Sequence, residues 1–292
     1  MKILITGGTG FIGSSLVEEL SLSGYELIVL SRDKHENKNG ISFIQWESES
    51  LKEAVSKADI VINLAGEPIA NKRWTGEQKK LIYDSRVAAT RLLVRAINSS
   101  ANKPKKLISA SAIGFYGNRY DEIVTESSSC GVGFLADTCK DWEEEANKAE
   151  TNVLILRTGL VLGSGGALKK MLMPFKMFIG GPLGPGSQYM SWIHLHDMIQ
   201  LIKFLVENKD VTGIINATSP NPVTNKEFSN VLGSILTRPS FMTAPAFALK
   251  LLLGEMASLL LEGQKVLPER ALQYGYKFKY SELEGALRSL FA

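Results

Sequence analysis

The sequence predicts an α/β fold, a doubly wound parallel sheet with a smaller C-terminal lobe. Three observations carry that prediction. Short β-branched runs alternate with longer helical patterns through the first two thirds of the chain. Runs such as Leu27-Ile28-Val29-Leu30 are apolar at every position, as strands buried on both faces are. A glycine-rich loop, Gly7 to Gly13, stands directly between the first strand pattern and the first helical one.

Taken in order, strand patterns cover 3–6, 26–31, 41–46, 59–64, 106–111 and 153–157, with helical patterns over 11–23, 51–57, 75–99 and 134–149 between them. In the third of these helices Leu81, Ile82, Ser85, Ala88, Ala89, Leu92, Leu93, Ala96 and Ile97 repeat at helical spacing. The pattern breaks after Leu162. Gly163-Ser164-Gly165-Gly166, Gly180-Gly181-Pro182 and Gly184-Pro185-Gly186 bracket an apolar stretch, 168–179, that reads as a short helix between mobile loops. Alternation resumes at 190–193, followed by a helix over 196–207 and a strand over 213–217. From Ser219 on, separate helical patterns follow with no further strand-rich run. The expected division is a sheet domain of residues 1–165 and 190–218, with a lobe of residues 166–189 and 219–292.

The 292 residues, 45% apolar and 22% charged, exclude disordered and fibrous classes and suffice for one or two domains with a large core. Thirty-three basic against thirty acidic side chains leave +3, a balance that speaks against nucleic acid or an anionic membrane as partner. Two cysteines, Cys130 and Cys139, cannot form a disulfide framework and suit a reducing, cytoplasmic setting as free thiols. Ile3-Leu4-Ile5 runs into Gly7 too soon for a secretory h-region. The most apolar later stretch, 244–261, carries Lys250, Gly254 and Glu255, and reads as a buried or groove-lining helix rather than a membrane span.

The loop Thr6-Gly7-Gly8-Thr9-Gly10-Phe11-Ile12-Gly13 has the chemistry of a pyrophosphate cradle. Gly7, Gly10 and Gly13 allow a tight turn, close backbone approach and close helix–strand packing, the hallmark of a Rossmann-type dinucleotide site. The helix start at Phe11 and Ile12 offers unpaired N–H groups to the phosphates, with Thr9 beside them. At the end of the second strand, an NAD site places an acidic residue on the ribose 2′-OH. Here Ser31-Arg32 stands instead, which points to NADP: a guanidinium clasps a 2′-phosphate and a hydroxyl adds a donor. The competing reading makes Asp33 the ribose ligand and leaves Arg32 in solvent.

The glycine loop, Asn63-Leu64-Ala65-Gly66-Glu67 and Ser109-Ala110-Ser111-Ala112 resemble the extended short-chain dehydrogenase/reductase superfamily. Arg73-Trp74, Ser85-Arg86, Ser111–Gly117, Ser191-Trp192-Ile193-His194 and Tyr274-Gly275-Tyr276-Lys277-Phe278 are similar to its atypical "epimerase family" branch, with that branch's C-terminal module over 268–290. The resemblance implies a Rossmann-type NADP-binding domain and a small substrate lobe. It implies that Leu64, Ala65 and Gly66 pass beneath the nicotinamide ribose, and that Arg86 reaches the cofactor.

It also implies a catalytic set. In this superfamily a Ser or Thr after the fifth strand polarises the substrate, and a Tyr-x-x-x-Lys pair on the next helix supplies the proton donor and lowers its pKa. The i, i+4 spacing puts both side chains on one helix face. Ser111 stands at the serine position and Lys140 at the lysine, where it also binds the nicotinamide ribose, but Ala136 replaces the tyrosine. Tyr116, five residues after Ser111, is the candidate substitute donor, with Asp137 and Cys139 behind it. His194 and His196, with Asp197 near, could suggest a metal, but two histidines at i, i+2 lack the third convergent ligand; Asp197 reads better as a charge at a helix start. Cys139 beside Lys140 reads as a lowered-pKa thiol or as a small buried side chain, and Trp74, Trp192 and Tyr189 as cleft-lining aromatics or core.

The expected activity is an NADP(H)-binding oxidoreductase or epimerase acting on a small polar or nucleotide-linked substrate, in a monomer or homodimer. The rival is a non-catalytic NADP(H) sensor that passes redox state to a partner; RNA binding is disfavoured by the near-neutral charge.

Overall fold

Seven parallel strands form one sheet: β1 (Lys2–Thr6), β2 (Glu26–Ser31), β3 (Ile41–Gln45), β4 (Ile60–Asn63), β5 (Lys106–Ala112), β6 (Asn152–Thr158) and β7 (Gly213–Ala217). Their spatial order is β3-β2-β1-β4-β5-β6-β7 in this computed structural model, which describes residues 1–38 and 40–291. Asn39 and Ala292, inside the ranges expected for the sheet domain and the lobe, lie outside the described residues. Chain order reverses between β1 and β4, so a crevice opens at the carboxyl ends of those two strands.

Alternation along β1 sorts its side chains between two layers. Ile3 and Ile5 pack with Leu16 and Leu20 of α1 (Phe11–Leu22) and Leu201 and Ile202 of α7 (Leu195–Glu207). Leu4 packs on the opposite face with Leu51 and Val55 of α2 (Ser48–Lys57) and Leu93 and Ile97 of α4 (Val87–Ser99). A third cluster, with Trp192, Phe228, Leu232 and Leu287, holds together α6 (Gly166–Lys176), α8 (Asn225–Leu236) and the last helix, Leu283–Phe291.

The structure departs from expectation in four places. The single helix expected over 75–99 is two, α3 (Gly76–Asp84) and α4, because the turn at Ser85-Arg86 is drawn to the β4 exit: the Glu67 amide donates to Ser85 Oγ at 3.0 Å. The strand expected over 190–193 leaves the main sheet; Trp192–His194 pairs with Leu160–Leu162, and Tyr189–Met190 with Val223–Thr224. The tail does contain strands, though only pairs of residues, at Val223–Thr224 and Lys265–Val266. The stretch 244–261 is broken into α9 (Ala246–Leu253) and two shorter turns, with Gly254 at φ 61°. It is not buried: Leu251 is 81% and Phe247 76% exposed. Among the described residues no helix is long and apolar enough to cross a membrane.

Candidate active site

The glycine loop is shaped by contacts that no side chain could share. A Cβ on Gly13 would stand 2.1 Å from the Gly7 carbonyl, and one on Gly7 (φ +71°) 2.7 Å from the Leu64 backbone. These two residues bring the start of α1 against both its own turn and the exit of β4. Gly10 caps α1 with no side-chain hydrogen bond, so the first-turn amides at Phe11, Ile12 and Gly13 remain free to receive an anion. The residues present therefore fit a dinucleotide's pyrophosphate.

Beside this loop lies a groove of about 360 Å³ lined by Gly8, Thr9, Ser14, His35, Lys38 and Phe43. Ser31 is buried behind His35: its Oγ accepts from the Asp33 amide at 3.2 Å and stands 3.1 Å from His35 Nε2. Arg32 is exposed, and its carbonyl accepts from Gln45. Sequence reasoning missed His35 and Lys38, which line this groove because the chain turns back into β3; Arg32 is not part of its lining. A larger cavity of about 530 Å³, lined by Lys2, Glu26 and Lys57, lies toward the opposite ends of the strands. It is on the wrong edge for a ligand of this topology.

Where the strands end, polar side chains meet under the crevice. Thr6 Oγ1 donates to Asn63 Oδ1 at 2.7 Å, and Asn63 Nδ2 donates to Thr90 at 2.8 Å. Trp142 of α5 (Phe134–Ala146) donates its indole N–H to the same threonine at 2.8 Å. The polar flank Asn63 is thus a buried tie between β1, β4 and α4. Leu64, Ala65 and Gly66 follow it. Arg86 lies over Gly66, with Nη1 donating to the carbonyls of Glu67 (3.0 Å) and Ile82 (3.1 Å). Its Nε and Nη2 make no hydrogen bond among the described residues, and burial lowers its pKa.

Ser111 ends β5 above a second network. Its hydroxyl donates to Glu143 Oε1 at 2.6 Å, and Arg157 grips the same carboxylate with Nε at 2.8 Å and Nη2 at 2.7 Å. Arg157 also stacks on Phe115 and donates to the Tyr116 hydroxyl at 3.0 Å, which in turn donates to Asn216 at 2.7 Å. All five of these polar residues, Ser111, Glu143, Arg157, Tyr116 and Asn216, are buried.

This geometry corrects the expected catalytic set. Tyr116 is fully buried beneath the strand ends, its hydroxyl engaged on both sides and its pKa raised by burial, so it does not reach the crevice. Lys140 points to solvent, 57% exposed and 4.0 Å from Glu144. Ala136 and Cys139 are buried; Leu135 and Cys139 of α5 lie against Gly114, and Glu143 of the same helix takes the Ser111 hydroxyl. Burial pushes the Cys139 thiol up to about 11, so it is a neutral small side chain and not an activated one. His194 Nδ1 accepts from the His196 amide and caps α7, while Asp197 receives the amides of Lys279 and Tyr280 at 2.8 Å each. Trp192 and Trp74 are core residues bonded to the Asn221 and Ile69 carbonyls. Tyr189 lies under Lys265, 4.9 Å from its ammonium.

Residues 3–217 match the family described as NAD dependent epimerase/dehydratase, and residues 244–290 match a domain of unknown function, DUF1731. The chain belongs to the NAD dependent epimerase/dehydratase family. Within that family it is 43% identical to the chloroplastic SDR39U1 homolog of Arabidopsis thaliana, over 99% of this chain and 86% of that protein. It is 40% identical to the epimerase family protein YfhF of Bacillus subtilis, over 100% and 98%. Human epimerase family protein SDR39U1 (isoform 2), solved with NADPH, superposes with a TM-score of 0.91 at 34% identity, covering 99% of both chains. The matched family region, residues 3–217, takes in the glycine loop and, Lys2 apart, all seven strands of the parallel sheet.

Proposed function

We propose that this chain is an NADP(H)-binding oxidoreductase of the epimerase/dehydratase family. It acts on a small polar or nucleotide-linked substrate held between residues 1–165 and 190–218, on one side, and 166–189 and 219–292, on the other. The reading is supported by human SDR39U1, solved with NADPH at 34% identity, and by the uncapped start of α1. Gly7, Thr9, Gly10, Phe11, Ile12 and Gly13 take the pyrophosphate; Ser31 and Arg32, with His35 and Lys38, take the adenosine end and its 2′-phosphate; Leu64, Ala65 and Gly66 floor the ribose. NADPH, when bound, supplies a hydride.

One observation carries the oxidoreductase reading: the Arg86 guanidinium, with only Nη1 hydrogen-bonded, sits at the end of β4 where burial strengthens its field. There it stabilises the negative charge that hydride addition from NADPH develops on a carbonyl oxygen of the substrate, and with Ala136 in the tyrosine's place the proton that completes the hydroxyl comes from water. Ser111 is 3% exposed and the only proton of its hydroxyl is taken by Glu143, so toward a substrate O–H or N–H it offers an acceptor and no donor. The sensor reading is favoured by a different observation, that Ala136 stands at the tyrosine position and the Tyr116 hydroxyl is buried and bonded on both sides.

Deuterium at C4 of NADPH separates the two. Incubation with fractions of a small-molecule extract should yield one labelled product and oxidised cofactor. If NADPH binds but no fraction takes up label, the chain is a sensor.

A further inference from the structure

The charge balance of the whole chain conceals an uneven surface. Residues 166–188 and 228–254 contain five cations, Lys169, Lys170, Lys176, Arg238 and Lys250, and no aspartate or glutamate. These two segments also carry half of the large apolar side chains that are exposed among the described residues, including Met173, Met177, Phe178, Phe247, Leu251 and Leu252. Monomers rarely leave so many such side chains together without a partner.

The two segments are one surface. The Met242 amide donates to the Gly180 carbonyl at 3.2 Å, a Cβ on Gly184 would touch Ala246, and the Arg238 guanidinium lies 4.5 Å over the Phe178 ring. At the other end both meet the loop after β4: Lys170 donates to Asn71 at 2.8 Å and Arg73 reaches the Leu251 carbonyl at 3.5 Å. Along α6 and the residues after it, Lys169, Met173, Lys176 and Met177 recur at helical spacing on the exposed side. Helix α9 presents Phe247 and Leu251 one turn apart and buries none of its residues.

We propose that this face docks on an anionic lipid bilayer. Methionine, leucine and phenylalanine enter the headgroup boundary, with lysine and arginine among them drawn to lipid phosphates, as on interfacial amphipathic helices. A second copy of the chain is the poorer occupant. A two-fold contact through this face would set cation against cation with no carboxylate of either segment to relieve them. A protein partner is disfavoured by the lysines, which are depleted at the centres of protein interfaces. The inference does not depend on the proposed oxidoreductase activity.

Co-sedimentation of the full chain with vesicles tests it. The protein should pellet with phosphatidylcholine vesicles containing phosphatidylglycerol, stay in the supernatant with phosphatidylcholine alone, and be released by salt. The double variants Phe247→Glu/Leu251→Glu and Lys169→Glu/Lys176→Glu should each weaken binding by about tenfold or more, with thermal unfolding unchanged as the check on folding. No binding to the anionic vesicles, or equal binding by folded variants, overturns the proposal. So does a wild-type dimer in light scattering that Phe247→Glu/Leu251→Glu converts to monomer, since a second copy then covers the face.

Discussion

Arg157 shows how one buried charge orders a site. A guanidinium at the end of a central strand requires a partner, and Glu143 supplies it from α5 with a bidentate grip. That pair fixes Ser111 from one side and Tyr116 from the other. Tyr116→Phe should therefore behave as a stability variant. It strands an Asn216 acceptor and an Arg157 donor, at a cost of about 1–3 kcal/mol in urea unfolding, with NADPH affinity unchanged. Loss of NADPH affinity without loss of stability would mean that Tyr116 faces the cofactor after all. Ser111 was legible only through the family resemblance, which puts a serine at the carboxyl end of the fifth strand, here within β5. Glu143 was not, since a glutamate in a helix is ordinarily solvated; the signal that could have found it was Arg157, a charge closing an otherwise apolar strand run.

At the scale of elements, the glycines before α6 stand in tight contact where their sequence suggests mobile joints. Cβ atoms on Gly165 and Gly166 would stand 2.8 Å and 3.0 Å from the Phe11 ring, so the loop before α6 is packed onto the first residue of α1. Phe11 thus links the phosphate-binding turn to the lobe. Phe11→Ala should speed amide exchange through 163–176 about tenfold or more relative to the rest of the chain, by hydrogen-exchange mass spectrometry. Exchange equal to wild type there would show that the ring does not hold the loop. The break between α3 and α4 was illegible for a related reason. Both helices continue one apolar period, and what separates them is the pull of Glu67 on Ser85, a contact 18 residues distant.

For the whole molecule, the alternation of strands and helices and the loop at Gly7 were enough to give the sheet and the crevice. The lobe was less legible, because a two-residue ladder such as Lys265–Val266 with Ile123–Val124 has no period to read. The junction between lobe and sheet titrates at His194, whose pKa burial lowers from 6.5 to about 4 with Asp197 opposing and His196 and Lys279 assisting. The folded state favours the neutral ring, so its contribution is complete above pH 6.5 and is lost as pH falls towards 4. Within that window the loss is about 1.4 kcal/mol per pH unit. The variant His194→Asn keeps an acceptor for the α7 cap, and its unfolding midpoint should fall less steeply than wild type between pH 6.5 and 4.5.

Cofactor choice tests the account most directly, because Ser31-Arg32 stands where an NAD site places an acidic residue on the ribose 2′-OH. Calorimetric titration should show NADPH binding tighter than NADH by about 1.5–3 kcal/mol, the value of charge-assisted bonds to one phosphate. In Arg32→Ala that preference should shrink by most of this amount while NADH affinity stays the same. Equal affinities for the two cofactors in the natural chain, or a preference that survives in Arg32→Ala undiminished, would contradict it.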